Sequence, residues 1–278
     1  MSDPRIGLAL GGGSARGLAH IPMLEVFDEL GIKPVMIAGC SIGALMGAGY
    51  AGGMSAAEIR ERAEMLLSNR LTAMRYVFGA KGTRLRDILA LKGIGSLHIK
   101  GQKLAELALP DHLPANIEDL AIPFKVVTTD YDAREERVIT SGNLAMAVAA
   151  SIAIPGVIAG PVVDGRIYVD GGVTNPVPFD HVRQHCDIVV AIDVTGRPRP
   201  PARTHHSNME LAVGSLLIMF HQVAELRRAA NPPDIYVEPD LATIRGGDFF
   251  KLKEMLEAAK PAKDQLKREL ERRINRAG

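Results

Sequence analysis

The chain has 278 residues, 47% of them hydrophobic, which is enough to bury the core of one large α/β domain. Its 33 Lys and Arg residues against 32 Asp and Glu residues give a formal net charge of +1, so the charge does not favour nucleic acid as a partner. Its two cysteines exclude a framework of disulfides and fit a reducing compartment.

The chain shows no pattern of a secretion signal or of a membrane span. The apolar stretch near the N-terminus is soon interrupted by three glycines and is too short for a signal peptide. No uninterrupted apolar run reaches the roughly 18 residues that a transmembrane helix needs. We therefore expect a cytoplasmic protein, for which transient peripheral contact with a membrane surface stays open.

Short apolar runs alternate with longer helical patterns, an order typical of βαβ units around a mostly parallel sheet. Between the first two runs, apolar residues recur every three positions from 21 to 30, the spacing of one helix face, and Pro22 falls in the first turn. The predicted strands are residues 5–10, 34–39, 122–131, 136–140, 165–172, 187–194 and 234–240. Further helices are predicted at residues 41–52, 55–69 and 249–278, the last with a break at Pro261. The Pro- and Arg-rich residues 196–207 are predicted to form a loop.

Ser41 lies in the sequence Gly-Cys-Ser-Ile-Gly, between a predicted strand and a predicted helix. This G-x-S-x-G pattern is typical of a nucleophile elbow, a sharp turn whose flanking glycines, here Gly39 and Gly43, expose the serine Oγ at the end of the strand. The pattern alone is weak evidence, because a serine here also suits a tight turn in which it only caps the following helix. The order of strand, turn and helix favours the nucleophile.

A glycine-rich loop follows the first predicted strand. Gly11, Gly12 and Gly13 allow backbone N–H groups to converge on one point, and a nearby helix N-terminus adds partial positive charge, so the loop suits an oxyanion. Such a loop would also suit a nucleotide phosphate. The dinucleotide fingerprint G-x-G-x-x-G, however, would require glycine at Arg16 or at Ser14, and the second strand ends without the acidic residue that binds ribose.

None of the eight histidines has the setting of a catalytic base. In a Ser-Asp-His triad of the hydrolase order the histidine follows the acid, whereas His98 and His112 precede every candidate acid. The later histidines lie on amphipathic or loop segments, and His20 is better placed to orient the glycine loop. Their spacings match no pattern of metal ligands, so no metal is expected.

Asp170 is a better partner for the serine. It ends a predicted strand and is followed by Gly171 and Gly172, which let the chain turn away abruptly. We expect this carboxylate at the C-terminal edge of the sheet, where the sites of open α/β folds gather. An Asp-Gly turn whose aspartate bonds only its own backbone is the alternative.

Four motifs, in this order, resemble those of the patatin-like phospholipases, particularly the short single-domain bacterial type: GGGSARGLAHIPML, GCSIG, SIAIPGVIAGP and VDGGVTNPVP. The resemblance covers about residues 5–195. It implies a three-layer α/β/α fold with a mostly parallel sheet. We expect one domain over residues 1–278, in which residues from about 207 to 276 pack on the motif-bearing core. Ser14 and Pro22 depart from the pattern of the family at positions away from the reacting atoms.

The resemblance also implies a chemistry. Ser41 would be the nucleophile and Asp170 the general base of a dyad without histidine, and residues 11–13 would supply the oxyanion N–H groups with support from Arg16. Members of the family hydrolyse acyl esters of phospholipids, lysophospholipids or neutral lipids without calcium, so an acyl lipid is the expected partner and no cofactor is expected. Two alternatives stay open: an acyltransferase that uses the same dyad, and a lipid-binding scaffold without catalysis.

Other features allow more than one interpretation. The apolar segment 150–163 suits either an acyl pocket or ordinary core. Asn175 is expected to hold the Asp-Gly-Gly turn through its side chain, and Asp130 and Asp132 are expected to cap a hairpin. Cys40 has no neighbour in the sequence that would activate a thiol and is interpreted as a small core residue.

Overall fold

The computed structural model describes residues 3–68, 99–196 and 208–277. The predicted loop at 196–207, apart from Gly196, and the histidines at 98, 205 and 206 lie outside the described residues. The strands are β1 (Ile6–Leu10), β2 (Met36–Cys40), β3 (Ile99–Lys100), β4 (Phe124–Asp130), β5 (Glu135–Ile139), β6 (Ile158–Ala159), β7 (Val162–Val163), β8 (Arg166–Asp170), β9 (Ile188–Ile192) and β10 (Ile235–Val237). The α-helices are α1 (His20–Glu29), α2 (Ile42–Ala51), α3 (Ala56–Leu67), α4 (Gly101–Ala108), α5 (Leu144–Ser151), α6 (Asp180–Arg183), α7 (Asn208–Ala230), α8 (Leu252–Ala258) and α9 (Lys260–Ala277).

Within the described residues, eight strands form one sheet in the order β10-β9-β1-β2-β4-β8-β7, with β5 paired to β4. The strands from β10 to β4 are all parallel, as the βαβ pattern predicts. On the other side, β5 and β8 run antiparallel to β4, and β7 runs antiparallel to β8. The predicted α/β class is therefore confirmed, with a sheet that is parallel in its central part and mixed as a whole.

β2 and β8 pair with successive parts of the same edge of β4. β5 pairs with residues 126–130 on one edge, so β2, which pairs up to Val127, and β8, which pairs from Thr128, both lie on the opposite edge. Because β2 and β8 run in opposite directions, their carboxyl ends meet head-on at Cys40 and Asp170. Asp170 therefore lies beside the carboxyl ends of the parallel strands, as expected, but its own strand reaches that point by running antiparallel to them.

Side chains alternate between the two faces of the sheet and build a core on each. In β1, Leu8 and Leu10 belong to the large core beneath α1, α2 and α5. Ala9 points to a smaller core that contains Val182 of α6 and Ala224 of α7. The predicted three-layer α/β/α arrangement is thus confirmed.

Several local signals have the predicted form. Ser55 and Glu58 form a capping box at the start of α3, with the Ser55 N–H donating to the Glu58 carboxylate at 2.7 Å. Pro22 lies in the first turn of α1, and the break at Pro261 separates α8 from α9. Asp130 accepts from a backbone N–H in the β4–β5 hairpin at 3.0 Å.

The C-terminal helices pack on the same side as α1. Lys263 of α9 forms ion pairs with Glu25 and Glu29 of α1, both at 2.7 Å, while Leu266 and Leu270 are fully buried. β10 extends the sheet beside β9. The extent of the domain over the whole chain stays a prediction.

The length and composition of α7 bear on the expectation that no segment of the chain spans a membrane. Among the described helices it alone is long and apolar enough to cross a membrane by length and composition, with a mean hydropathy of 1.3. The sequence criterion, which counted only uninterrupted apolar runs, did not single out this helix. Ser215, His221 and Gln222 interrupt this run without adding charge.

Candidate active site

Ser41 occupies a strained turn between β2 and α2. Its backbone has φ 53° and ψ −124°, a positive φ that costs a non-glycine residue free energy and that marks many active sites. The flanking glycines are required sterically: a Cβ on Gly43 would lie 2.1 Å from the carbonyl oxygen of Leu10, and one on Gly39 would lie 2.6 Å from the Cα of Ala44. The G-x-S-x-G pattern therefore lets α2 begin directly against the strands.

Ser151, at the end of α5, holds this turn. The backbone N–H of Ser41 donates to the Ser151 Oγ at 2.7 Å, and the Ser151 hydroxyl donates to the carbonyl oxygen of Val127 at 2.6 Å. Ser151 is fully buried. Sequence reasoning did not single it out, although a lone hydroxyl at the end of an apolar run is the same kind of signal that drew attention to Ser41.

Asp170 is the hydrogen-bond partner of the Ser41 side chain. The Ser41 Oγ donates to the Asp170 Oδ2 at 2.6 Å, and the other carboxylate oxygen accepts from the Gly172 N–H at 2.8 Å. Gly171 has no room for a side chain, because a Cβ there would lie 2.2 Å from the Val127 carbonyl oxygen. The structure thus brings Ser41 and Asp170 together, on turns that start where β2 and β8 meet.

Burial determines the electrostatics of this pair. Asp170 is fully buried, and the loss of hydration raises the pKa of its carboxyl to about 7, although the bonds from Ser41 and Gly172 act in the opposite direction. Burial, and next the charge of Asp170, also raises the pKa of the Cys40 thiol, so this thiol stays protonated. Cys40 is a core residue, whereas Asp170 has the proton affinity of a general base at neutral pH.

The glycine loop lies beside Ser41 but differs from the expectation in its donors. The Gly11 N–H donates to the carbonyl oxygen of Ile192, the last residue of β9, at 2.9 Å. The Gly12 N–H donates to the carbonyl oxygen of Pro176 at 2.8 Å. Of the three glycine N–H groups, that of Gly13 makes no hydrogen bond with the described part of the chain. A Cβ on Gly12 would lie 3.2 Å from the Cβ of Ser41. The loop therefore approaches the serine closely, with its first two N–H groups already engaged in fixing its shape.

Two polar side chains contact this loop from within the protein. His20 is fully buried, which lowers its pKa to about 4, so the ring is neutral and donates from Nε2 to the Gly11 carbonyl oxygen at 2.8 Å. The Nε of Arg16 lies 3.5 Å from the Gly13 carbonyl oxygen, and burial lowers the pKa of this guanidinium. Both residues contact the loop and neither contacts the Ser41 hydroxyl.

No described histidine hydrogen-bonds to Ser41 or Asp170. The side-chain partners of four of them are Gly11 for His20, Glu136 for His181, Lys125 for His185 and Thr195 for His221. Among the described residues, Asp170 is the one whose side chain accepts a hydrogen bond from the Ser41 hydroxyl.

Asn175 holds the Asp-Gly-Gly turn in a different way from the one expected. Its backbone N–H donates to the Gly171 carbonyl oxygen at 2.8 Å, whereas its side-chain amide donates to Glu136 at 3.0 Å and to Asp180 at 2.9 Å. Arg227 of α7 also binds both carboxylates, each at 3.2 Å. The main chain of Asn175 fixes the turn, and its side chain connects the turn to a network of ion pairs.

The pair is closed to solvent. Ser41 is 4% exposed, and the first part of the segment 150–163 is buried core while its later part lies at the surface. A cavity of about 300 Å³ lies instead beside Pro4, Asp187 and Arg273, at the start of β9, where the opposite ends of the parallel strands lie.

Residues 8–183, more than half of the chain, match the protein family described as patatin-like phospholipase. An uncharacterized NTE family protein of Mycobacterium tuberculosis is 36% identical over 212 residues, which are 75% of this chain and 54% of that protein. The chain thus spans about half the length of this relative.

Two animal proteins are also similar to this chain. Patatin-like phospholipase domain-containing protein 7 of Rattus norvegicus is 35% identical over 196 residues, 69% of this chain and 14% of that protein. Neuropathy target esterase of Drosophila melanogaster is 33% identical over 193 residues, 68% of this chain and 13% of that protein.

Proposed function

The chain belongs to the patatin-like phospholipase family, and from this premise we propose that it is a serine lipid acyl hydrolase with Ser41 and Asp170 as its catalytic dyad. The observation that supports this most strongly is the 2.6 Å hydrogen bond from the Ser41 Oγ to a fully buried carboxylate. The strained turn at Ser41 adds support, because strained backbone persists only where the surrounding structure enforces it, and such residues cluster at active sites.

The first half of the reaction forms an acyl-enzyme. Asp170 as carboxylate takes the Ser41 proton while the Oγ attacks the carbonyl carbon of an acyl ester. The tetrahedral intermediate then expels the alcohol, which leaves with the proton now held on Asp170. The pKa of about 7 makes this carboxylate basic enough to accept the proton and acidic enough to return it.

Two backbone N–H groups are proposed to bind the oxyanion. One is that of Gly13, which has no acceptor among the described residues. The other is that of Ile42, the residue after the nucleophile, at the N-terminus of α2, where the first N–H groups of a helix have no acceptor within the helix. The partial positive charge of this helix end also favours the negative oxygen.

The second half returns the free enzyme. Asp170 takes a proton from a water molecule while the oxygen of that water attacks the carbonyl carbon of the acyl-Ser41 ester. The Ser41 Oγ then leaves with the proton held on Asp170, and the fatty acid is released. A water-excluded site strengthens each of these charge interactions, and an acyl chain that fills the entrance would exclude water. Phospholipids, lysophospholipids and other acyl esters are the proposed substrates.

Calcium is not assigned a step in this mechanism. Hydrolysis of a soluble monomeric ester is expected to survive exhaustive chelation with EDTA. Loss of that activity on chelation, with recovery on metal addition, would contradict the dyad.

The test of the proposal is Ser41→Ala compared with Cys40→Ala. The first is expected to abolish turnover of a soluble ester and labelling by a fluorophosphonate, whereas the second removes the neighbouring thiol and should retain both. The expected product is free fatty acid, also when an acceptor alcohol is added. A folded Ser41→Ala protein that still takes up the label would show that another residue is the nucleophile.

A further inference from the structure

The solvent-facing side of α7 is apolar. Six exposed residues between positions 211 and 226 lie on one side of the helix and form what we name the outer stripe: Leu211, Ser215, Ile218, Met219, Gln222 and Leu226. Its four apolar side chains are 53–70% exposed. None of its residues carries a charge, whereas the water-facing stripe of a helix in a soluble protein is normally charged or polar.

Two ordinary reasons for such a composition do not apply to α7. A core helix is apolar because it is buried, but only 11% of the apolar window of α7 is buried. A signal sequence precedes the folded domain, but α7 follows β9 and packs on the sheet. The apolar stripe therefore fits an apolar environment outside the protein.

The inner side of α7 is fixed to the domain. Phe220 lies against Gly172, where a Cβ would be 2.3 Å from its ring, and His221 is hydrogen-bonded to Thr195 at 3.2 Å. Arg227 binds two carboxylates of the domain, Glu136 and Asp180. These contacts favour a helix that lies on a lipid surface over one that spans a bilayer.

A loop that packs against α7 also exposes apolar side chains. Gly246 lies against Leu217 of α7, and the same loop exposes Phe249 and Phe250, at 36% and 40%. Arg245 in this loop is also exposed. Aromatic rings and a guanidinium beside an apolar stripe match the acyl and phosphate parts of a phospholipid surface.

We propose that the outer stripe of α7, together with Phe249 and Phe250, docks the protein on the surface of an anionic phospholipid membrane. Because Phe220 packs on the glycine two residues after Asp170, docking through α7 brings the dyad next to the phase that holds acyl lipids. Only the statement that docking brings the dyad close to its acyl-lipid substrate rests on the proposed function. The docking itself rests on the exposed side chains of α7 and of the loop that packs against it.

The test measures flotation of the protein with vesicles of mixed phosphatidylcholine and phosphatidylglycerol. All proteins carry Ser41→Ala, so that the vesicles stay intact. Ile218→Glu combined with Met219→Glu should lower vesicle partitioning by about tenfold or more, because two apolar side chains that would enter the lipid become charged. Met65→Glu on α3 is the matched control, since Met65 and Met219 are both 55% exposed, and should bind like its parent.

Three results would overturn the proposal: no binding of the parent protein to vesicles, equal binding of the doubly substituted protein, or a parent dimer that becomes a monomer on substitution. The last would identify the stripe as an interface between copies of the chain. The same substitutions with Ser41 restored should leave turnover of a soluble monomeric ester within about twofold. Failure of docking with normal turnover refutes only the docking, whereas absence of turnover in the unsubstituted protein refutes the proposed hydrolase.

Discussion

The turn at Ser41 and the turn at Asp170 meet at one point but are held there by different means. The serine turn has a backbone with a positive φ and depends on a side chain from a distant helix, Ser151. The aspartate turn has an ordinary φ of −47° and is held by its own main chain, through the N–H groups of Gly172 and Asn175. The position of the nucleophile therefore costs backbone strain at Ser41, whereas the position of the base costs the loss of hydration of the Asp170 carboxylate.

This difference separates the effects of substitutions near the two turns. Removal of the Ser151 hydroxyl should displace the nucleophile without changing the chemistry of the base. Removal of the Asp170 charge should abolish the base while the turn keeps its shape. The substitutions below test this separation.

The largest expected effect is that of Asp170→Asn. The variant keeps the size of the side chain and removes the proposed proton acceptor, so kcat on a soluble ester should fall on the order of 10³-fold or more, near the upper range for a positioned base. Circular dichroism would confirm that the fold is retained. A folded variant with more than about a tenth of the parent rate would refute Asp170 as the base.

A smaller loss is expected for Ser151→Ala. The variant frees the Ser41 N–H and should lower kcat by about 10–100-fold through misplacement of the Oγ, with KM and the pH profile unchanged. Thr128→Val is the matched control, because Thr128 also donates from a buried hydroxyl to a carbonyl oxygen, at 2.8 Å, without contacting Ser41. Equal losses in both variants would show a general effect of stability and not of position.

Stability should respond to Asp170→Asn in the opposite sense from activity. The folded pKa of about 7 lies above the ordinary value of 3.8, so between these pH values the folded protein retains a proton that the unfolded chain has lost. The free energy of unfolding of the parent therefore falls as pH rises through this window. Urea denaturation should find the variant more stable by roughly 1–3 kcal/mol at about pH 8, and no more stable at about pH 4. A parent as stable as the variant at the higher pH would show that burial of the charge costs nothing.

The smallest effects are expected for the histidines. Single replacement of His181, His185 or His221 by glutamine should lower kcat by less than about tenfold, because their side chains bind partners away from Ser41. The same limit is predicted for His205 and His206. One folded histidine variant as inactive as Asp170→Asn would replace the dyad by a triad.

Much of the fold could be predicted because its signals are local. The capping box at Ser55, the first-turn Pro22 and the close approach of Gly39 to Ala44 each depend on contacts within a few residues. The pairing of β8 could not be predicted in this way. The direction of a strand depends on which neighbour it joins, and nothing in the residues before Asp170 specifies β4.

The details of the site that sequence reasoning missed depend on distant partners. The Gly11 and Gly12 N–H groups donate to carbonyl oxygens of residues more than 160 positions away, so these hydrogen bonds could not be predicted from the sequence of the loop. Ser151 meets Ser41 across 110 residues. The apolar residues of α7 are present in the sequence, but only the structure shows that many of them face the solvent and not the core.

The rate at which a fluorophosphonate modifies Ser41, measured against pH and with the labelled peptide identified by mass spectrometry, tests the dyad most directly. In the parent protein the adduct should map to Ser41, and its rate should rise with an apparent pKa near 7, as the Asp170 carboxyl loses its proton. The Asp170→Asn variant should label slowly, without that rise. A variant that keeps the parent's rate and pH dependence, or an adduct on another residue, would contradict the account.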